Sequence, residues 1–183
     1  MKEISNIQQV LDEADLLCSH TEVNEAFHQM AENINKQLKN KQILCLSVML
    51  GGLIPTGQLL PLMKMPLELD YIQATRYHGT TQGTELHWLK YPSTPLRGRT
   101  VLIIDDILDQ GLTLQAIVNY CKKSEAKEVL TAVLVEKQLE QRQGLQKADF
   151  TGIYMPDRYL FGYGMDYHGQ LRHANGIYAV KGL

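Results

Sequence analysis

Three carboxylates within five positions form the segment of this sequence that is best suited to chemistry. Asp105, Asp106 and Asp109 follow residues 100–104 (TVLII). That near-continuous apolar run predicts a strand covered on both faces. Carboxylates so close together repel one another and raise each other's pKa, so folding alone does not require them. A ligand that donates hydroxyl groups, or a cation, would relieve the repulsion, and the cluster therefore predicts a polyol or metal site.

The residues that follow have the composition of an anion-binding turn. Residues 109–113 (DQGLT) supply Gly111 for tight backbone geometry and Thr113 for a hydroxyl group, where a predicted helix begins. Successive backbone N–H groups and the helix dipole at such a turn bind a phosphate group. The sequence has neither a GxxxxGK[ST] loop nor a GxGxxG fingerprint. Acids for a polyol beside amides for a phosphate match a ribose 5-phosphate group.

The alternative explanation of these acids is structural. An isolated Asp-Asp pair at the end of a strand would more often be a solvated helix N-cap than a binding site. The complete pattern of a buried strand, DDxxDxGxT and a helix favours the ligand site instead.

Composition places the chain among ordinary globular proteins. Its 183 residues suit one domain, residues 1–183, and its formal net charge of −2 at pH 7 argues against a nonspecific nucleic-acid binder. The widely spaced Cys18, Cys45 and Cys121 match no zinc pattern and favour reduced thiols. The sequence shows no signal-peptide core and no membrane-spanning apolar run, which indicates a cytoplasmic protein with no membrane partner.

Periodicity along the chain predicts an α/β fold. The N-terminal quarter has helical spacing, and Ser19 and Glu22 have the spacing of a capping box. Strand patterns occur at residues 43–49, 67–75, 84–90, 100–104, 128–135 and 148–155. The second and third strands are expected to pair in antiparallel fashion around a loop tip at 78–83. We therefore expect an open, twisted, mostly parallel sheet flanked by helices, with ligands bound beyond the carboxyl ends of its strands.

Two motifs give the chain a family resemblance. Residues 103–114 (IIDDILDQGLTL) resemble the phosphoribosyl-pyrophosphate signature of the type I phosphoribosyltransferases. Residues 155–172 (MPDRYLFGYGMDYHGQLR) resemble the purine-binding segment of the hypoxanthine-guanine branch. The resemblance extends from about residue 43 to the C-terminus, and residues 1–20 match only loosely. It implies a type I phosphoribosyltransferase core at about 20–150 and a small hood subdomain at about 151–183 with part of the N-terminus.

The resemblance implies roles for the acidic segment. Asp105 and Asp106 would hold the ribose 2′- and 3′-hydroxyl groups, and Asp109 would accept a proton near purine N7, as suits a carboxylate. The remaining substrate-binding residues of this segment would be Ile107, Leu108, Gln110, Gly111, Leu112 and Thr113, with the main-chain amides of 110–113 and the Thr113 hydroxyl on the 5-phosphate.

The downstream motif implies the purine and pyrophosphate contacts. Lys137 would donate to the purine O6, Tyr159 would stack on the purine, and main-chain groups near Leu160 would bind its other edge. Asp166 would be a ligand of Mg²⁺, the implied cofactor, and Arg172 would contact pyrophosphate. Outside the resemblance, Lys137 would be interpreted as a surface lysine, Tyr159 as a packing residue and Arg172 as an exposed basic residue.

Two positions depart from the family pattern. Leu50 and Gly51 match the pyrophosphate loop, but Leu50 stands where the family usually has a lysine. The resemblance implies a non-proline cis peptide between Met49 and Leu50. Arg76 and Tyr77 occupy the place of a Ser-Tyr pair on a loop that closes over the site. Our hypothesis is that Arg76 compensates for Leu50, and an unchanged affinity of Arg76→Ser for phosphoribosyl pyrophosphate would contradict it.

The resemblance implies transfer of a phosphoribosyl group in purine salvage. The substrates would be phosphoribosyl pyrophosphate and hypoxanthine or guanine, the products IMP or GMP with pyrophosphate, and the enzyme a homodimer or homotetramer. Two alternatives remain open: a xanthine-preferring enzyme and a regulatory relative that binds nucleotides or RNA. The absence of a Lys/Arg cluster beyond short pairs disfavours a nucleic-acid partner.

Overall fold

Six strands form the central sheet of the computed structural model, which describes residues 2–76 and 86–183. The strands are β2 (Ile43–Met49), β3 (Leu67–Arg76), β4 (Leu86–Lys90), β5 (Thr100–Leu108), β6 (Glu128–Lys137) and β7 (Phe150–Met155). Their order in the sheet is β4-β3-β2-β5-β6-β7, and β4 alone runs antiparallel to its neighbour β3. The predicted α/β class with a mostly parallel sheet is confirmed.

Both faces of the central strands are covered, as their apolar runs predict. On β2, Ile43 and Cys45 pack with the helices α2 (His20–Gln37) and α3 (Leu53–Leu59). Leu44 and Leu46 point the other way, toward the helix α4 (Leu112–Lys123). Successive side chains of a strand face opposite sides, so a two-sided core requires a continuous apolar run.

The helix α2 begins at the predicted capping box. The Ser19 hydroxyl accepts a bond from the Glu22 N–H, and the Glu22 carboxylate accepts one from the Ser19 N–H at 2.8 Å. The helix buries one apolar face composed of Val23, Phe27, Met30, Ala31 and Ile34. These residues lie on the same face as the sequence periodicity predicts, and they anchor α2 against β7 at the edge of the sheet.

A second sheet, which we call the small sheet, joins the two ends of the chain. It has the order β1-β9-β8, with β1 (Asp15–Ser19), β8 (Leu160–Phe161) and β9 (Gly176–Ala179). The helix α1 (Lys2–Glu13) packs on it through Ile7, Val10 and Leu11. The expectation of an entirely helical N-terminal quarter is therefore wrong at β1. This strand forms through antiparallel pairing with β9, a partner too distant in sequence for local periodicity to indicate.

The strand that carries the acids is longer than the sequence indicates. β5 does not end at Ile104 but continues through the Asp-Asp pair to Leu108, because parallel pairing with β6 continues to Leu108 and Glu136. β6 likewise extends past Val135 and ends at Lys137. The Asp-Asp pair, which was predicted to follow the strand, therefore lies within its paired C-terminal part. Asp109 is the first residue after the strand.

The antiparallel pair β3–β4 is confirmed, and the predicted loop tip at 78–83 lies outside the described residues. None of the helices in residues 2–76 and 86–183 combines the length and the apolar composition needed to cross a bilayer.

Candidate active site

A cavity of about 690 Å³ opens at the carboxyl ends of β2, β5 and β6. Its position matches the general location of ligands in open parallel sheets. Most residues implicated by the sequence line it together: Leu50, Gly51, Asp105, Asp106, Ile107, Asp109, Gln110, Gly111, Leu112, Thr113, Lys137, Tyr159, Leu160, Asp166 and Arg172.

The Asp-Asp pair forms the floor of the cavity. Both residues are buried, and the Asp106 N–H donates to Asp105 Oδ1 at 2.9 Å. Burial raises the pKa of both carboxyl groups, and the neighbouring Asp106 charge raises the pKa of Asp105 further. The Arg172 guanidinium opposes this effect from 3.9 Å, measured from Nη1 to Asp106 Oδ2. A ligand with hydroxyl donors would stabilise these carboxylates where the protein offers few partners.

The turn after β5 has the geometry of an anion site. Gly111 is the N-cap of α4 and has a left-handed backbone with φ of 72°, a conformation that L side chains rarely adopt. A Cβ atom at this position would lie 2.3 Å from the carbonyl oxygen of Leu145. Thr113 is in the first turn of α4, where the backbone N–H groups have no intrahelical acceptors. The turn can therefore present amides and a hydroxyl group to a phosphate.

An ammonium group in the cavity wall contacts two carboxylates. Lys137 Nζ lies 3.5 Å from Asp109 Oδ2 and 3.1 Å from Asp157 Oδ1. The Lys137 side chain is 11% exposed, whereas Asp109 is 46% exposed. The site therefore presents an acceptor and a donor side by side. Sequence reasoning missed Asp157, although this residue lies in the segment 155–172, two residues before Tyr159.

The segment between β8 and β9, together with Tyr159 just before β8, contributes another part of the cavity wall. Arg172 Nη2 lies 2.5 Å from Asp166 Oδ1 in an ion pair, and the Gly169 N–H donates to Asp166 Oδ2 at 2.6 Å. Tyr159, beside β8, is half-exposed and contacts Tyr167 edge-on with ring centroids 5.5 Å apart. Tyr159 also lines the cavity, so it can contact a ligand bound there.

The loop after β2 has the expected geometry. The peptide between Met49 and Leu50 is cis, which confirms the prediction. Leu50 is 55% exposed and lines the cavity, so this wall carries an apolar side chain where the resemblance implies a lysine. The backbone of Arg76 ends β3, and Tyr77 lies outside the described residues.

Of the implicated residues whose side chains the structure describes, one does not reach the cavity, and several residues that were not implicated line it. Leu108 is fully buried in the core beneath α4, so its side chain is not available to a ligand. The unexpected lining residues are Val48, Met49, Gln73, Ala74, Leu89, Leu114 and Met165. Gln73, Ala74 and Leu89 come from β3 and β4, and their place in the cavity wall follows from strand order and not from any local motif.

Comparison with known proteins agrees with this geometry. A model of the phosphoribosyl transferase domain matches residues 17–167. The hypoxanthine-guanine phosphoribosyltransferase of Bacillus subtilis (strain 168) is 29% identical over 167 residues, which are 91% of this chain and 92% of that protein. A hypoxanthine phosphoribosyltransferase structure from Staphylococcus aureus is 24% identical with a TM-score of 0.85, and covers 91% of each chain.

A further structure, the hypoxanthine phosphoribosyltransferase of Trypanosoma cruzi in complex with the product IMP, has a TM-score of 0.84 and 24% identity, and covers 93% of this chain and 95% of that one. The domain match includes the Asp-Asp pair, the turn at 109–113 and Lys137. The chain belongs to the phosphoribosyltransferase family.

Proposed function

We propose that this protein is a 6-oxopurine phosphoribosyltransferase of purine salvage. It transfers the 5-phosphoribosyl group of phosphoribosyl pyrophosphate to N9 of hypoxanthine or guanine, which yields IMP or GMP and pyrophosphate. The observation that carries the proposal is the pair Asp109 and Lys137, 3.5 Å apart, in the same cavity as the anion-binding turn. The B. subtilis relative has the corresponding name, and the T. cruzi relative holds the product IMP.

Asp109 and Lys137 supply the acid–base chemistry in this proposal. As the bond from purine N9 to C1′ forms and the bond from C1′ to pyrophosphate breaks, the purine loses a proton. Asp109 accepts a proton near N7, while Lys137 donates to O6. The 3.5 Å separation of the two side chains matches neighbouring positions on one purine edge.

The remaining contacts hold the substrates in line. Asp105 and Asp106 accept hydrogen bonds from the ribose hydroxyl groups, and the amides of 110–113 bind the 5-phosphate. Ile107 borders this ribose site, and the backbone near Leu160 binds the outer purine edge. Tyr159 stacks on the purine ring, and the small sheet with residues 151–183 acts as a hood over it. The individual residues named here all line the cavity, which supports their proposed roles.

The pyrophosphate subsite lies between Arg172 and the loop of Leu50 and Gly51. Arg172 contributes charge, and the loop contributes main-chain amides because Leu50 has no polar group. Both segments line the cavity. Arg76 and Tyr77 remain our candidates for the loop that closes over this subsite.

Asp166 is the candidate ligand for Mg²⁺. Its carboxylate is 32% exposed in the cavity wall, and hard oxygen donors suit this ion. Within residues 2–76 and 86–183, no group of three or more His, Cys, Asp or Glu side chains is arranged around a metal position, so substrate and water oxygens would complete the coordination. Bound there, Mg²⁺ would neutralise charge on the departing pyrophosphate.

The metal proposal predicts that EDTA abolishes transfer and that MgCl₂ restores it. The variant Asp166→Asn should bind Mg²⁺ more weakly, because one charged ligand is lost. It should therefore need a higher Mg²⁺ concentration for half-maximal rate. Steady-state rates over a MgCl₂ titration measure this. Full activity in EDTA, or identical Mg²⁺ curves for both proteins, would contradict the assignment.

A steady-state assay with four bases tests the function itself. Hypoxanthine and guanine should each yield nucleotide from phosphoribosyl pyrophosphate, while adenine, which lacks the O6 acceptor for Lys137, should not. A preference for xanthine would support the first alternative. Transfer to adenine only, or to none of the four bases, would overturn the proposal. Filter binding of RNA would then test the regulatory alternative.

Assembly and compartment complete the proposal. The enzyme forms a homodimer or homotetramer, which the resemblance to the family supports. It works in the cytoplasm, a reducing compartment in which its three buried, unpaired cysteines remain thiols.

A further inference from the structure

A nearly buried arginine connects the two residues at the centre of the proposed chemistry. Arg142 lies in the loop after β6, and its side chain is only 8% exposed. Its Nε donates to the Asp109 carbonyl oxygen at 2.9 Å, and its Nη2 donates to the Lys137 carbonyl oxygen. One rigid guanidinium therefore bonds the main chains of Asp109 and Lys137 at the same time.

The same loop packs directly on the anion-binding turn. The Gly144 N–H donates to the Gln110 carbonyl at 2.9 Å, and the Leu145 N–H donates to the Gly111 carbonyl at 3.0 Å. A Cβ atom on Gly144 would lie 2.4 Å from the backbone of Gly111, so only glycine permits this approach. The loop thus contacts the turn, Asp109 and Lys137 through main-chain groups of all three.

Arg142 is held within the loop by a third bond and a counterion. Its Nη1 donates to the Gln146 carbonyl at 2.8 Å, and its Nη2 lies 3.7 Å from Oε1 of Glu136, which is also nearly buried. Glu136 is fixed in turn by the Thr151 hydroxyl at 2.7 Å. Burying such a pair brings little net stability, because desolvation offsets the attraction. The arrangement is better explained by the geometry that it imposes.

We propose that Arg142 is a positioning residue for phosphoribosyl transfer. It sets the main chain of Asp109 relative to that of Lys137, and so keeps the proton acceptor and the O6 donor at the spacing of one purine edge. The inference rests on the proposed function of those two residues. Arg142 does not line the cavity, so it acts through them and not on the substrate.

The substitution Arg142→Lys tests this role. Lysine keeps the charge beside Glu136, but one ammonium cannot reach carbonyls that three separate guanidinium nitrogens contact. A misplacement of catalytic groups by about 1 Å costs on the order of 100-fold in rate. We expect kcat to fall by roughly 10- to 100-fold and the KM for hypoxanthine to rise. The KM for phosphoribosyl pyrophosphate should stay within about twofold, a split that general loss of stability would not produce.

Arg99→Lys is the matched control. Arg99 is also a partly buried arginine paired with a carboxylate, Glu68, at 2.9 Å, but it lies at the amino end of β5, away from the cavity. The variant Arg99→Lys should lower the midpoint of thermal unfolding without changing kcat or the KM for either substrate. Kinetic constants of Arg142→Lys within about twofold of wild type would overturn the inference.

A second variant applies if Arg142→Lys does not fold. Gly144→Ala pushes the loop away from Gly111, so we expect a lower kcat together with a higher KM for phosphoribosyl pyrophosphate. Wild-type kinetics in a folded Gly144→Ala would overturn the inference by this route. If the wild-type chain itself transfers no phosphoribosyl group, the proposed function fails first. An active wild type with unaffected variants refutes only the role of the loop.

Discussion

Replacing Asp109 by asparagine is expected to lower kcat for IMP formation by about 10²- to 10⁴-fold while the protein stays folded. The amide keeps the size of the side chain but cannot accept the purine proton. Asp109 is 46% exposed, and its pair with Lys137 at 3.5 Å contributes little to stability at that exposure. Single-turnover rates measure the loss, and a thermal melt of both proteins checks the fold.

Asp157→Asn is the matched control for this result. Asp157 contacts the same ammonium group of Lys137 at 3.1 Å, and it is 61% exposed. Its removal changes the charge beside Lys137 by the same amount but leaves the proposed proton acceptor in place. We expect less than about a tenfold effect on kcat. Equal losses in the two variants would show that Asp109 acts only through its charge on Lys137.

Replacing Asp105 by asparagine is expected to make the protein more stable and much less active. The carboxylate is buried beside Asp106, and an asparagine oxygen can still accept the Asp106 N–H bond. Removing the repulsion should raise the free energy of unfolding at neutral pH by about 1–2 kcal/mol. Loss of a ribose-hydroxyl acceptor should lower kcat/KM for phosphoribosyl pyrophosphate by roughly 100-fold, or about 3 kcal/mol.

The stability difference should depend on pH with a definite sign. Burial raises the pKa of Asp105 above its ordinary value, so the folded state binds the proton more tightly than the unfolded chain does. Wild-type stability from this group is therefore present at low pH and is lost as pH rises through the folded-state pKa. The advantage of Asp105→Asn in urea denaturation should grow from acidic to neutral pH. An advantage that is constant or absent would contradict the assignment.

Asp70 provides a control of opposite sign. Desolvation opposes its ionised form, but N–H groups of Thr94, Tyr71 and Ser93 outweigh it and lower the pKa of Asp70. Asp70→Asn should therefore be less stable than wild type at neutral pH, because one amide oxygen cannot replace both carboxylate oxygens. That deficit should shrink as pH falls through the ordinary carboxyl range, where Asp70 in the unfolded chain takes up its proton.

Short sequence patterns were sufficient to predict the structural features that depend only on neighbouring residues. The apolar run before Asp105 requires cover on both faces, and Gly111 marks a left-handed turn at a helix start. Both features can be recognised in a short window of sequence. The resemblance then supplied roles for Lys137 and Asp166, which periodicity alone would leave on the surface.

Features that depend on distant partners were not predictable in this way. β1 exists because β9 pairs with it, and nothing within residues 15–19 indicates that partner. Asp157 and Arg142 are ordinary charged residues in loops, and their importance comes from where the chain returns to Lys137. Gln73 reaches the cavity only because β3 lies next to β2 in the sheet order.

The register of β5 and β6 has a consequence for how such enzymes diverge. Leu108 pairs with Glu136, so Asp109 and Lys137 are the next residues along two hydrogen-bonded neighbours. The spacing of adjacent strands, about 4.8 Å, brings their main chains close together, and the Arg142 guanidinium, bonded to both carbonyl oxygens, fixes their final relation. Core residues on either face can therefore change with little effect on the main-chain spacing between Asp109 and Lys137, because hydrogen bonds between neighbouring strands hold it. A site whose spacing depends on main-chain hydrogen bonds can tolerate extensive sequence change. This is consistent with the fold that the chain shares with the S. aureus structure, at a TM-score of 0.85 and 24% identity.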